Sequence, residues 1–258
     1  MHHLVTSPPK RFFAFGCSFT RYHWPTWADI IGHVTPEYYN YAQSGAGNLF
    51  ISNSIVEANL RHNFTKNDLI MVMWSSICRE DRYRNGFWST PGNIYSDGVF
   101  EPKEFVENWA DNRFYLIRDL AIIEQSHAYL KSLPCDFDML KMVEFEDTSG
   151  GKDSPEYNES NPDVLNLYHT TTEKVKPSIH KVIYNNEWES LEIAGWGNKG
   201  QTADYHPTTL NYLKYLESFY TCNDKMTGFA RYYNKALLKC SSLDDTIGFW
   251  NRPMQTRL

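Results

Sequence analysis

Apolar residues crowd into four short runs, and the segments between them are patterned differently. "FFAFG" (12–16), "YYNYA" (38–42), "LIMVMW" (69–74) and the weaker "DMLKMVEF" (138–145) have the length of strands. Helical patterns separate them. Residues 24–33, "WPTWADIIGH", carry a proline suited to a first turn, and residues 47–62, "GNLFISNSIVEANLRH", follow a glycine-bearing turn. From 103 to 132 the positions Phe105, Trp109, Leu116, Leu120, Ile123 and Leu130 keep a three-four spacing that predicts one long amphipathic helix. His127 falls on that stripe and is expected to be a hydrogen-bonded core residue. Near the end, Pro207 can open a helix marked by Leu210, Leu213, Leu216 and Tyr220.

Strands alternating with helices predict a parallel sheet covered on both faces, joined by right-handed crossovers: a three-layer α/β/α sandwich, mostly parallel and flavodoxin-like. Two regions fall outside this pattern, near 82–102 and 146–203, the second containing the loop-like "EDTSGGKDSPEYNESNPD". Unpatterned stretches of that length act as lids or insertions. The expectation is one domain over residues 1–258 with two loop-rich insertions.

Composition narrows the function. Hydrophobic residues make up 41% of the chain and aromatic residues 16%, enough apolar surface to offset chain entropy and exclude a disordered class. A formal charge of −6, with no run of Lys and Arg, argues against a nucleic-acid partner. The first residues lack an apolar core of signal-peptide length and no stretch approaches a membrane span, so the expectation is a soluble, cytoplasmic protein without a signal peptide. The five cysteines have no C-x-x-C spacing, and the nine histidines no metal-binding spacing; neither a disulfide framework, a metal nor a cofactor is expected.

The chemistry-bearing residues sit at the edges of these elements. "RFFAFGCSFT" ends a buried run at a glycine and delivers Cys17 and Ser18 to one turn, and strand ends are where α/β sheets hold their sites. Either side chain could be a nucleophile; for Cys17 a small buried turn residue is the stronger reading. His206 stands immediately before Pro207, with Asp204 two residues upstream. A carboxylate beside an imidazole fixes its tautomer and stabilises the imidazolium formed when it takes a proton from a nucleophile. The alternative is an ordinary Asp204 helix cap with His206 at the surface.

Taken in order, "FGCSFT", "NYAQSGAGN" (40–48), "DLIMVMWSS" (68–76) and "DYHP" (204–207) resemble the four sequence blocks of the SGNH, or GDSL-type, hydrolases. The "GCSFT…WPTWADIIG" form looks most like SGNH-type proteins of tailed bacteriophages. With that likeness, a virion-associated location stands beside the cytoplasmic one. The resemblance covers the core of the chain but not its insertions. It implies Ser18 as nucleophile, His206 as general base and then acid, and Asp204 as the group orienting it. It implies an oxyanion hole from the backbone N–H of Ser18, the N–H of Gly45 and a third-block asparagine. The chain departs from the family here, because Cys17 replaces the usual aspartate of the first block and Ile77, which cannot donate a hydrogen bond, stands at the asparagine position. Ser76 or Asn48 are the candidates to replace that donor, the alternative being a hole that runs on the two backbone amides alone.

Arg79, Glu80 and Asp81 lie just beyond the third strand, where Arg79 and Asp81 are candidates for substrate contact and a salt-bridge network is equally open. Trp24, Trp27, Trp74 and Trp88 could stack on sugar, although tryptophan mostly fills cores. The expected activity is hydrolysis of an O-acyl ester, by family analogy an O-acetyl group on a carbohydrate. A noncatalytic glycan-binding or structural component of a phage particle, and an acyltransferase, are the alternatives.

Overall fold

The computed structural model describes residues 9–95, 103–145, 161–187, 189–195 and 200–249. Its centre is a four-stranded parallel sheet of β1 (Arg11–Phe15), β2 (Glu37–Asn40), β3 (Asp68–Trp74) and, numbered in chain order, β6 (Asp136–Lys141), arranged β2-β1-β3-β6. The chain steps one way from β1 to β2 and the other way from β2 to β3 and on to β6. Right-handed crossovers therefore place α1 (Trp27–Gly32) on one face and α2 (Asn48–His62) and α4 (Asn112–Lys131) on the other. Packing agrees: α2 lies against α4, while α1 lies against α8 (Thr209–Glu217) and α9 (Asp224–Leu237). The fold is thus α/β, with helices flanking a parallel sheet.

Alternation along β1 shows how the sheet is gripped from both sides. Phe12 meets Trp27 and Tyr38, whereas Phe13 stacks on Tyr39 and packs against Phe64 beyond α2. Every residue of β3 is buried, as its unbroken apolar run requires.

Several elements differ from the sequence pattern. The helix expected over 103–132 is two: α3 (Lys103–Trp109) and α4, divided where the Asp111 side chain accepts from the Phe114 N–H and starts a new helix. Trp109 is accordingly exposed and leaves the stripe. His127 is half-buried, set edge-on against Phe137, rather than in the core. The helix after His206 begins past Pro207, with Thr208 as its cap.

The two unpatterned regions carry structure of their own. Residues 82–89 form an antiparallel hairpin of β4 (Arg82–Arg84) and β5 (Phe87–Ser89). The second region holds the short helices α5 (Pro162–Leu167), α6 (His169–Thr172) and α7 (Ile179–Tyr184). It ends in a hairpin of β7 (Leu191–Ala194) and β8 (Gln201–Asp204), which stands apart from the main sheet. The loop sequence over 146–160 lies outside the described residues. No helix among the described residues is long and apolar enough to cross a membrane.

Candidate functional site

The turn after β1 is built around Gly16. A Cβ there would lie 2.0 Å from the Thr20 Oγ1 and 3.0 Å from the Met73 carbonyl, so only glycine lets the strand turn this close to β3. The amides of Thr20 and Arg21 both donate to the Cys17 carbonyl and tighten the turn. Cys17 is buried within it, and its thiol points at the Met142 sulfur, 3.7 Å away. Ser18 is thereby left at the carboxyl end of the sheet.

His206 arrives from the other end of the chain, held by two cross-links. The Trp24 indole N–H donates to the Pro207 carbonyl (2.8 Å), and the Thr209 hydroxyl donates to the Pro25 carbonyl (2.8 Å). These bonds clamp the segment preceding α8 onto the segment preceding α1. Asp204 closes β8, and its Oδ1 accepts from the His206 backbone N–H at 2.9 Å and lies 2.9 Å from the ring Nδ1. The His206 Nε2 is 2.8 Å from the Ser18 Oγ. A carboxylate only accepts, so Nδ1 carries the ring proton and the Nε2 lone pair faces the serine.

Tyr22 completes the cluster, and sequence reasoning did not single it out. Its hydroxyl donates a short hydrogen bond to Asp204 Oδ2, while its ring stacks on the His206 imidazole with centroids 3.5 Å apart and planes 15° from parallel. Phe19 packs against the same imidazole at 5.0 Å. Burial, with the Asp204 charge adding to it, pushes the Tyr22 phenol far above its ordinary value, so it is a fixed donor. Burial alone would raise the Asp204 carboxyl, but hydrogen bonds from His206 and Tyr22 outweigh it and hold the carboxyl below its usual range. The one available signal was proximity, an aromatic four residues beyond Ser18.

Among the described residues, the backbone N–H groups of Ser18 and Gly45 are engaged in no internal hydrogen bond. Gly45 has φ +74°, and a Cβ on it would lie 2.1 Å from the Thr90 carbonyl, so its glycine is required both by conformation and by the chain packed over it. The second-block turn is held from above by Thr90, whose hydroxyl donates to the Ser44 carbonyl, and by Gln43, whose amide donates to the Trp88 carbonyl.

Other expected site residues are committed elsewhere. Asn48 is fully buried; its amide nitrogen donates to Asp119 (2.9 Å) and the Ser75 carbonyl (3.3 Å), and its oxygen accepts from the Ser75 N–H (2.9 Å). Both amide hydrogens are spent, which corrects its assignment as an oxyanion donor. Ile77 is buried. The Ser76 hydroxyl accepts from the Arg79 Nε at 3.0 Å. Asp81 is buried and accepts from the backbone N–H groups of Gly47 and Phe50, both at 2.8 Å, so it caps α2 from outside the helix and is not a substrate contact. Glu80 belongs to a network with Arg118, Tyr115 and Arg82. Trp24, Trp27 and Trp74 are core residues, and Trp88 packs edge-on against Phe50 and Tyr83.

No protein-family model matches the chain, and no curated protein matches it. Among solved structures, the chain is similar to a member of the lipolytic protein G-D-S-L family from Veillonella parvula, at 13% identity and a TM-score of 0.43. That match covers 81% of this chain and 97% of the other. It is also similar to the protein YXIM of Bacillus subtilis, at 9% identity and a TM-score of 0.38, over 91% of this chain and 58% of the other.

Among the described residues no group of three or more His, Cys, Asp or Glu is placed to hold a metal ion. What the cluster can do chemically follows from its order: hydroxyl, imidazole, carboxylate, phenol. The Ser18 proton has an acceptor, the resulting imidazolium has a counter-charge, and two backbone donors lie in the turns alongside.

Proposed function

We propose that the protein is a serine esterase that cleaves O-acyl esters through an acyl-enzyme. The observation that carries this reading is the continuous hydrogen-bonded line from Ser18 Oγ through His206 to Asp204. Serine is not nucleophilic alone at neutral pH, and an imidazole 2.8 Å away supplies the base it needs. In the proposed sequence, His206 Nε2 takes the Ser18 proton as Oγ attacks the ester carbon, then returns it to the departing alkoxide. Water attacks the acyl-serine by the same route, releasing the acid and restoring Ser18. The Ser18 and Gly45 amides receive the negative charge on the carbonyl oxygen, each such donor contributing roughly 3 kcal/mol. Family resemblance extends the reading to O-acetyl groups on carbohydrate and to a place on a phage particle.

Ser18→Ala and His206→Ala test the mechanism. Each is expected to lower kcat on 4-nitrophenyl acetate by about 10⁴-fold or more, and a neutral fluorophosphonate should label the wild type but not Ser18→Ala. Equal rates in all three proteins would remove the proposal. One observation favours a noncatalytic glycan-binding relative: Ile77 is buried and both Asn48 amide hydrogens are spent, so neither position supplies the side-chain amide that the resemblance implies. Failure of the wild type to label would support that reading.

A further inference from the structure

Arg79 occupies a position the ester-cleaving machinery leaves unexplained. Its Nε donates to Ser76 beyond β3, its Nη1 donates to the Ala46 carbonyl beyond β2 (3.1 Å), and its Nη2 lies 3.9 Å from the Met142 sulfur beyond β6. In the order β2-β1-β3-β6 the outer strands are three spacings apart, about 14 Å. A guanidinium in contact with loops from both outer strands must lie over the middle of the sheet edge, where β1 delivers Ser18. The same Met142 sulfur also touches the thiol of Cys17, the residue before Ser18, which sets the guanidinium beside the turn that carries Ser18.

This cation is half-buried, and among the described residues no carboxylate is in ion-pair contact with it. Asp81 is near enough to feel its charge, but both Asp81 oxygens are taken by the start of α2. Glu80 is taken by Arg118 and Tyr115. Arg118 also donates to the Arg79 carbonyl at 2.8 Å, so the backbone bearing this side chain is fixed. A partly desolvated guanidinium held in place without an anion is costly unless an anion arrives from outside. The contacts to Ala46 and Met142 use one hydrogen on each terminal nitrogen, which leaves a second N–H on each to donate to an anion.

We propose that Arg79 is the anion-recognising residue of this site, and that the esters cleaved at Ser18 carry a fixed carboxylate or equivalent negative group beside the scissile bond. The inference rests on the esterase reading of Ser18. Two substrate pairs test it, with charge on either side of the ester: 4-nitrophenyl adipate monoester against 4-nitrophenyl hexanoate, and 4-acetoxybenzoate against 4-acetoxybenzamide. The wild type should favour the charged member of at least one pair. Arg79→Gln should lower kcat/KM on that member about 30-fold more than on its neutral partner, chiefly through KM. Arg79→Lys, which keeps the charge but not the fork, should fall between. Should Arg79→Gln lose its melting transition, the wild-type preference and Arg79→Lys carry the test. Labelling of wild-type Ser18 by a neutral fluorophosphonate with no charge preference in either pair, or equal loss on charged and neutral esters in Arg79→Gln, would overturn the anion site while leaving the esterase standing. A wild type that neither labels nor cleaves would remove both.

Discussion

Tyr22 stands to Asp204 as Asp204 stands to His206: it saturates the far oxygen of the group that holds the next one in place. Removing only its hydroxyl separates that role from packing, because Tyr22→Phe keeps the ring stacked on the imidazole. Without the donor, Asp204 keeps its bonds to His206 but loses the contact that fixes its far oxygen. The value of kcat/KM should fall about tenfold at neutral pH. Tyr22→Ala, which also removes the stack, should lose more, and rates measured on the three proteins check both. At this scale the sequence was informative where chemistry fixes residue type and opaque where it fixes only geometry. Ser18, His206 and Asp204 could be singled out as candidates because four short blocks in order resemble a known hydrolase pattern, and few residue types can attack, relay a proton or orient an imidazole. Tyr22 could not, since an aromatic near a buried strand is ordinary core material until its hydroxyl is seen to face a carboxylate.

Among the elements, α2 shows how a loop residue can look functional and be structural. Its first turn begins at Gly47, which has no side chain to satisfy the leading N–H groups, and Asp81 supplies the oxygens from thirty-odd residues away. Asp81→Ala should lower stability by about 2 kcal/mol, read as a lower urea midpoint at unchanged slope. Asp81→Asn, keeping one acceptor oxygen, should recover part of the loss. The same change should disturb Gly45 and Ala46 just before the helix, so activity should fall with stability rather than independently of it. The two central strands, β1 and β3, were readable because burial on both faces demands continuous apolar runs, while the outer β2 and β6 are only partly buried and β6 showed as a weaker pattern. The strand carrying Asp204 was not readable: β7 and β8 are four residues each and mostly exposed or half-buried, with one buried position apiece, Ile193 and Asp204, so neither shows an apolar run. The division between α3 and α4 was hidden for a related reason, since a capping aspartate can sit inside an otherwise regular stripe without breaking its period.

Across the whole molecule, the candidate site lies at one edge of the sheet and an ion pair ties the other. At the amino ends of the strands Arg11 and Asp68 face each other in register across β1 and β3, joined by two hydrogen bonds of 2.8 and 2.6 Å. The same arginine reaches the carbonyls of His62 and Asn63 at the end of α2, so one side chain ties three elements together. Asp68 is almost wholly buried. Burial alone would raise its carboxyl, but the bonds from Arg11 and Thr65 outweigh this and hold it below its ordinary value. A carboxyl depressed in the folded state contributes stability that is fully present above its unfolded value, near 3.8, and is lost as pH falls through the folded one. Asp204 and Glu144 shift in the same direction, so the urea midpoint of the wild type should drop steeply below about pH 4. Arg11→Ala discriminates this account from a packing effect. At pH 7 it leaves a buried carboxylate without its partner and should cost about 3 kcal/mol or more. In the variant the carboxyl is raised by burial and accepts a proton earlier on acidification, so the gap between variant and wild type should narrow steadily from pH 7 to pH 3. A gap that stays constant across that range would mean Arg11 stabilises the sheet through its aliphatic contacts and carbonyl bonds, with the ion pair contributing nothing.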